Sequence, residues 1–151
     1  MIEGAPDDFE SFPQGRLRLR WNRRQLLTTV TSELRVLCEA ARWGAARGLA
    51  DLGCLPDDEL ASLVPAIVPE TELVEKAGVL WAHLRGSDSL VRLFSVGSPA
   101  GAVLGRFDGH TSLATCAERL SKERGMDPQR AFRYVRGLFL HLVSAGFCSP
   151  S

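Results

Sequence analysis

The sequence predicts an α+β fold: a C-terminal module of a β-hairpin and three helices, preceded by an N-terminal strand and a long helix. Three observations predict it. Two apolar-rich runs, 79–84 and 90–96, flank the Gly-containing stretch Arg85-Gly86-Ser87-Asp88-Ser89, a hairpin signal. Downstream of residue 98, three helical segments each carry their own start and stop residues. Near the N-terminus, Arg16, Arg18 and Arg20 alternate with Leu17, Leu19 and Trp21, the period-2 pattern of a half-buried strand.

Residues 1–15 hold two prolines, several acids and no period, and read as a mobile tail in which Phe9 and Phe12 are the docking candidates. The strand over 16–21 leads into Asn22, placed as a helix N-cap with Gln25 in a capping-box position. Leu27, Val30, Leu34, Leu37 and Ala41 then recur at helical spacing, and Gly53 is placed as the helix stop. A short helix after Pro56-Asp57-Asp58 carries Leu60, Leu63 and Val64. Pro65 and Pro69 end it and make the following stretch a stiff connector, taken as the boundary between a 16–70 extension and a 71–151 module.

In the module, Ser98-Pro99 starts a short helix and Asp108-Gly109 is a turn. Thr111 or Ser112 caps a second helix that stops at Gly125. Asp127-Pro128 caps the last helix, which stops at Gly146. The last two helices and their tight turn form a helix-turn-helix, and the hairpin beside it completes a winged helix.

Composition narrows the function classes. The 151 residues carry a formal net charge of zero, with 45% hydrophobic and 24% charged residues, so a packed core is expected. Proteins that live on nucleic acid carry a positive excess. Here Arg16, Arg18, Arg20, Arg23 and Arg24 read as a solvated strand face and helix start rather than as a polyanion patch. No apolar run is long enough to span a bilayer, and residues 1–14 do not resemble a signal peptide, so a cytoplasmic location is expected. Cys38, Cys54, Cys116 and Cys148 lack the paired spacing of a zinc or iron–sulfur motif, and free thiols are expected. His83, His110 and His141 are scattered with no nucleophile or metal partner in view, so catalytic residues, metal and cofactor are all expected to be absent.

The stretch Leu93-Phe94-Ser95-Val96, Pro99 to Leu104, and Phe107-Asp108-Gly109-His110-Thr111-Ser112-Leu113 resembles the pyrroloquinoline quinone biosynthesis protein D family. The likeness continues through a helix at Ala114 to Arg124, the Asp127-Pro128 cap and a final helix ending in an apolar-x-x-x-Gly-apolar pattern at Leu142 to Phe147. It spans residues 74–149, about half the chain, and leaves the first seventy residues unmatched. The resemblance implies a non-catalytic module that captures the leader segment of a precursor peptide and presents the rest to a modifying enzyme, with those two as partners. It implies that the leader adds beside the strand Leu90 to Val96 and lies on the outward face of the last helix, a case of β-augmentation. Val91, Arg92, Leu93, Phe94, Arg130, Arg133, Tyr134 and Arg136 are then the peptide-binding candidates. Arg92, Arg130, Arg133 and Arg136 would meet an acidic leader, with Tyr134 as an aromatic anchor. A winged-helix DNA-binding regulator and an assembly subunit of an enzyme complex are the competing expectations.

Overall fold

The computed structural model describes residues 7–20 and 49–150. The described elements form an α+β structure with four α-helices and two small sheets. In chain order they are α1 (Asp57–Ala61), β1 (Pro65–Ile67), β2 (Thr71–Lys76), β3 (Val79–Leu84), β4 (Val91–Ser95), α2 (Ala100–Leu104), α3 (Leu113–Arg124), α4 (Pro128–Ala145) and β5 (Cys148–Pro150).

The cap chemistry read from the sequence holds at the two longest helices. Ser112 Oγ accepts from the Thr115 N–H at the start of α3, and Asp127 accepts from the Gln129 and Arg130 N–H groups at the start of α4. Gly125 and Gly146 close them in the left-handed conformation, with φ 64° and 87°. Ser98 differs from expectation: its hydroxyl donates to the Ser95 carbonyl, and Pro99 takes the cap position of α2.

Helix α4 is the centre of the molecule. Val135, Leu138, Phe139, Leu140, Leu142 and Val143 are fully buried, so its apolar face wraps around the helix. From Tyr134 onward α4 is buried almost all round and needs cover to match, and here α3, β5 and the N-terminal segment each supply part of it.

Three expectations are corrected. The stiff connector at Pro65 is a strand: β1 pairs antiparallel with β5, matching Pro65 with Pro150 and Ile67 with Cys148. The 16–70 and 71–151 segments are therefore joined by a sheet, with Pro65 opening β1 and Pro150 closing β5. The hairpin is a three-stranded meander in the order β2-β3-β4. Its first turn, Ala77-Gly78, has φ of 53° and 77°, so both central residues are left-handed. The residue pairs that announce such a turn begin with Asn, Asp or Gly, and Ala77 hid it. Finally, residues 16–20 run extended but pair with no strand. Leu17 is buried while Arg16, Arg18 and Arg20 are exposed, as the alternation requires. The Leu17 N–H donates to the Ala50 carbonyl and the Arg20 N–H to the Ser144 carbonyl.

The long helix expected from Asn22 lies outside the described residues except at its end. There Leu49 and Ala50 are helical and a 3-10 turn, Asp51–Cys54, follows. Gly53 is needed for close approach rather than as a left-handed stop, because a Cβ there would lie 2.0 Å from the Gly15 carbonyl oxygen.

The Asp108-Gly109 turn is tied to β1. The Gly109 N–H donates to the Pro65 carbonyl at 2.9 Å, and Asp108 accepts from the His110 and Thr111 N–H groups at 2.8 and 3.0 Å. These bonds hold the Asp108 carboxyl below the usual carboxylate range, the His110 N–H contributing most. Asp108→Ala should lower the urea unfolding midpoint, whereas Asp108→Asn should retain most of the wild-type midpoint. Equal losses in both variants would mean that charge, not the acceptor geometry, sustains the turn.

Candidate functional site

The site is built where the open edge of β4 meets α4. Strand β4 ends the order β2-β3-β4, so among the described residues its outer edge has no strand partner. A bulge at Leu80/Trp81 shifts the register, so that Leu80 faces Phe94 and Trp81 faces Arg92. On α4, Arg130, Tyr134, Gly137 and His141 follow one another at spacings of four, three and four residues and therefore share one helix face.

Residues 7–12 of the same chain lie along this groove. Phe9 begins a 3-10 turn, Phe9–Ser11, and is 2% exposed. Its ring sits edge-on to Tyr134, with centroids 5.6 Å apart, and tilted against His141 at 5.4 Å. Its backbone crosses directly over Gly137, where a Cβ would stand 1.8 Å from the Phe9 carbonyl oxygen. On one side of Phe9, both carboxylate oxygens of Asp7 accept from the Ser95 N–H at 3.1 Å, and Oδ1 also receives Arg92 Nη1 at 3.3 Å. On the other side, the Glu10 carboxylate takes Arg130 Nε at 2.9 and 3.0 Å. Arg136 Nη2 reaches the Phe12 carbonyl at 3.5 Å and Arg136 Nη1 approaches Asp57 at 3.7 Å. The stretch expected to be a mobile tail is thus, over residues 7–12, a docked segment.

The sequence candidates divide into three groups. Arg92, Arg130, Tyr134 and Arg136 all touch the docked segment or its neighbours, and Val91 lies half-buried beside Arg92. Leu93 and Phe94 are each 1% exposed, so their side chains serve the core, and only their backbone belongs to the edge. Arg133 is on another face, lining a shallow depression with Asp57, Asp58, Ala61, Gln129 and Phe132. Helical geometry explains the split, since position 133 is displaced around the helix from the row that runs through 130, 134, 137 and 141.

Ser95, Gly137 and His141 were missed. The available signal was Gly137: a glycine inside a strongly apolar helix marks a close backbone approach.

Burial shapes the chemistry of the groove. It pushes the Tyr134 phenol upward, and the hydroxyl lies beside Ser98 and Ala100 without a well-formed hydrogen bond. It also pushes the His141 imidazole down to about 4, with the nearby Arg20 guanidinium acting in the same direction. The buried thiol of Cys116 is raised to about 11 and that of Cys148 is raised as well, both mainly by desolvation, so neither supplies a thiolate. Cys54, Cys116 and Cys148 are free thiols, and Cys38 lies outside the described residues. Among the described residues no three His, Cys, Asp or Glu side chains gather as a metal site, and no helix is long and apolar enough to cross a membrane. The groove presents a strand-edge N–H, two guanidinium groups aimed at carboxylates, an aromatic slot and a glycine floor.

No family model, curated protein or solved structure matches the chain.

Proposed function

We propose that this chain is a cytoplasmic, non-catalytic peptide-recognition protein. It captures the leader of a precursor peptide in the groove between β4 and α4 and presents it to a modifying enzyme. In this reading the β2-β3-β4 sheet and helices α2 to α4 form a winged-helix module of the pyrroloquinoline quinone biosynthesis protein D type. The observation that carries the reading is that the groove already holds a peptide, the segment Asp7-Asp8-Phe9-Glu10, through Arg92, Ser95, Arg130 and Tyr134. A surface that binds one extended stretch by a strand edge and an aromatic slot has the chemistry to bind another.

The charge arrangement supports peptide over nucleic acid. Arg106 pairs with Glu123, Arg130 with Glu10 and Arg136 with Asp57, so these three arginines face carboxylates, and the formal net charge of zero lacks the positive excess of a nucleic-acid-binding protein.

The experiment is co-purification from the native host, with the Arg92→Glu/Arg130→Glu variant in parallel. A short peptide should accompany the wild type together with a modifying enzyme, and peptide recovery should fall at least tenfold in the variant. Nucleic acid that washes off with salt would overturn the reading in favour of a winged-helix regulator. An enzyme recovered equally with both proteins and without peptide would overturn it in favour of an assembly subunit.

A further inference from the structure

We propose that residues 7–12 are a built-in occupant of the groove, and that the ligand which displaces them is a peptide of the same chemistry: a carboxylate, an aromatic two residues later, and a second carboxylate immediately after it. The proposal rests on the peptide-recognition reading and deepens it by naming the ligand class and what holds that ligand off.

The contacts define the pattern. The first carboxylate, Asp7, answers both the one strand-edge N–H of Ser95 and the Arg92 guanidinium. The aromatic, Phe9, fills the slot between Tyr134 and His141. The second carboxylate, Glu10, is received by Arg130. Two further contacts read main chain alone: Gly137 leaves room for the Phe9 carbonyl, and Arg136 reaches the Phe12 carbonyl. All of these are features that another chain of the same pattern carries, so the groove does not distinguish its own segment from a matching peptide by contact chemistry.

Its own segment has the advantage of a tether. Three residues beyond Phe12, the Gly15 N–H is bonded to the Gly53 carbonyl at 2.8 Å, and the Leu17 N–H to the Ala50 carbonyl at 2.7 Å. This anchoring holds residues 7–12 beside the groove at an effective concentration in the millimolar range or above. A separate peptide sees only the fraction of molecules in which the groove stands empty, and its apparent affinity falls by that fraction. The half-exposed Arg130 and the peripheral Asp7–Arg92 pair are contacts that water can replace, so the segment can be exchanged without unfolding α4.

The test uses the full chain and a fluorescein-labelled synthetic peptide with the sequence of residues 5–14, followed by fluorescence anisotropy. The Asp7→Ala/Phe9→Ala/Glu10→Ala variant should bind the peptide at least tenfold more tightly than the wild type. Adding Arg130→Glu should remove most of that gain, and a peptide with lysine at both carboxylate positions should not bind. If the triple variant does not fold, Asp7→Asn/Glu10→Gln retains Phe9 and should shift affinity in the same direction by a few-fold. Equal affinity for wild type and opened variants, or no binding to a folded opened variant, would overturn the proposal. Equal binding of the lysine peptide would overturn the ligand class while leaving peptide recognition standing. Loss of the co-purifying peptide in the native host, with this anisotropy result intact, would instead remove the biosynthetic reading alone.

Discussion

Gly137→Ala should release residues 7–12 from α4 while leaving the helix itself intact. The added methyl would stand 1.8 Å from the Phe9 carbonyl oxygen and 2.6 Å from the carbonyl carbon. Both neighbours are backbone and cannot rotate aside, and α4 cannot retreat because Val135, Leu138 and Phe139 pack on its other faces. The helix gains about 1 kcal/mol from replacing glycine with alanine. The molecule loses the burial of Phe9, about 2–3 kcal/mol, together with the Asp7 and Glu10 contacts. The net expectation is a loss of about 1–2 kcal/mol in denaturant unfolding, with chymotrypsin gaining access to the Phe9–Glu10 bond. A double-mutant cycle gives the sharper reading. Phe9→Ala should be costly in the wild-type background and nearly neutral after Gly137→Ala, because the ring has already left. Full additivity would mean that Phe9 remains seated and that the helix has shifted to admit the methyl.

The parts of this fold that the sequence announces are those held by local chemistry. Ser112, Asp127, Gly125 and Gly146 mark α3 and α4 because capping needs a particular side chain, or its absence, at one position. The apolar runs of β3 and β4 are legible for a similar reason. β2 is not, since Leu73 is half-exposed and charged residues stand at Glu72, Glu75 and Lys76 on a strand whose faces are both wet. β1 and β5 are three residues each and exist only as partners across more than eighty positions of sequence, which no local pattern encodes. The site follows the same rule. Arg92, Arg130, Tyr134 and Arg136 stand out by residue type and helical spacing, while Leu93 and Phe94 could not be told from edge residues until the bulge set the register. The occupant was least legible of all. A stretch with several acids, two prolines and no period has the composition of a loose tail, and only the slot beneath Phe9 gives it a place.

Acidification should destabilise the protein between pH 6.5 and about 4, and His141 should be the main reason. Its ring is packed against Phe9, and burial holds its pKa at about 4 against an ordinary value of 6.5. Arg20 and the Arg92 guanidinium push in the same direction as burial. The Arg92 backbone carbonyl and the Asp7 carboxylate oppose it, and the balance stays strongly downward. A depressed histidine pKa means that the folded state prefers the neutral ring. Through this window the unfolded chain binds more protons, so stability is fully present above pH 6.5 and falls as the pH drops toward 4. At about 1.4 kcal/mol per pH unit the full loss is on the order of 3 kcal/mol, of which about 2 kcal/mol is reached by pH 5. Unfolding is not the least costly way to hydrate the ring. Lifting residues 7–12 exposes His141 and leaves α3 and α4 packed, so local opening should precede global unfolding. The Ser95 N–H, covered by Asp7, should therefore lose protection against hydrogen exchange as the pH is lowered from 7 to 5.5, before the far-UV signal changes. His141→Gln should flatten both responses, because an amide fills the slot without titrating. If the variant keeps the wild-type slope, the carboxylates that bind the segment must carry the pH dependence, and the imidazole must find water in the folded state without moving Phe9.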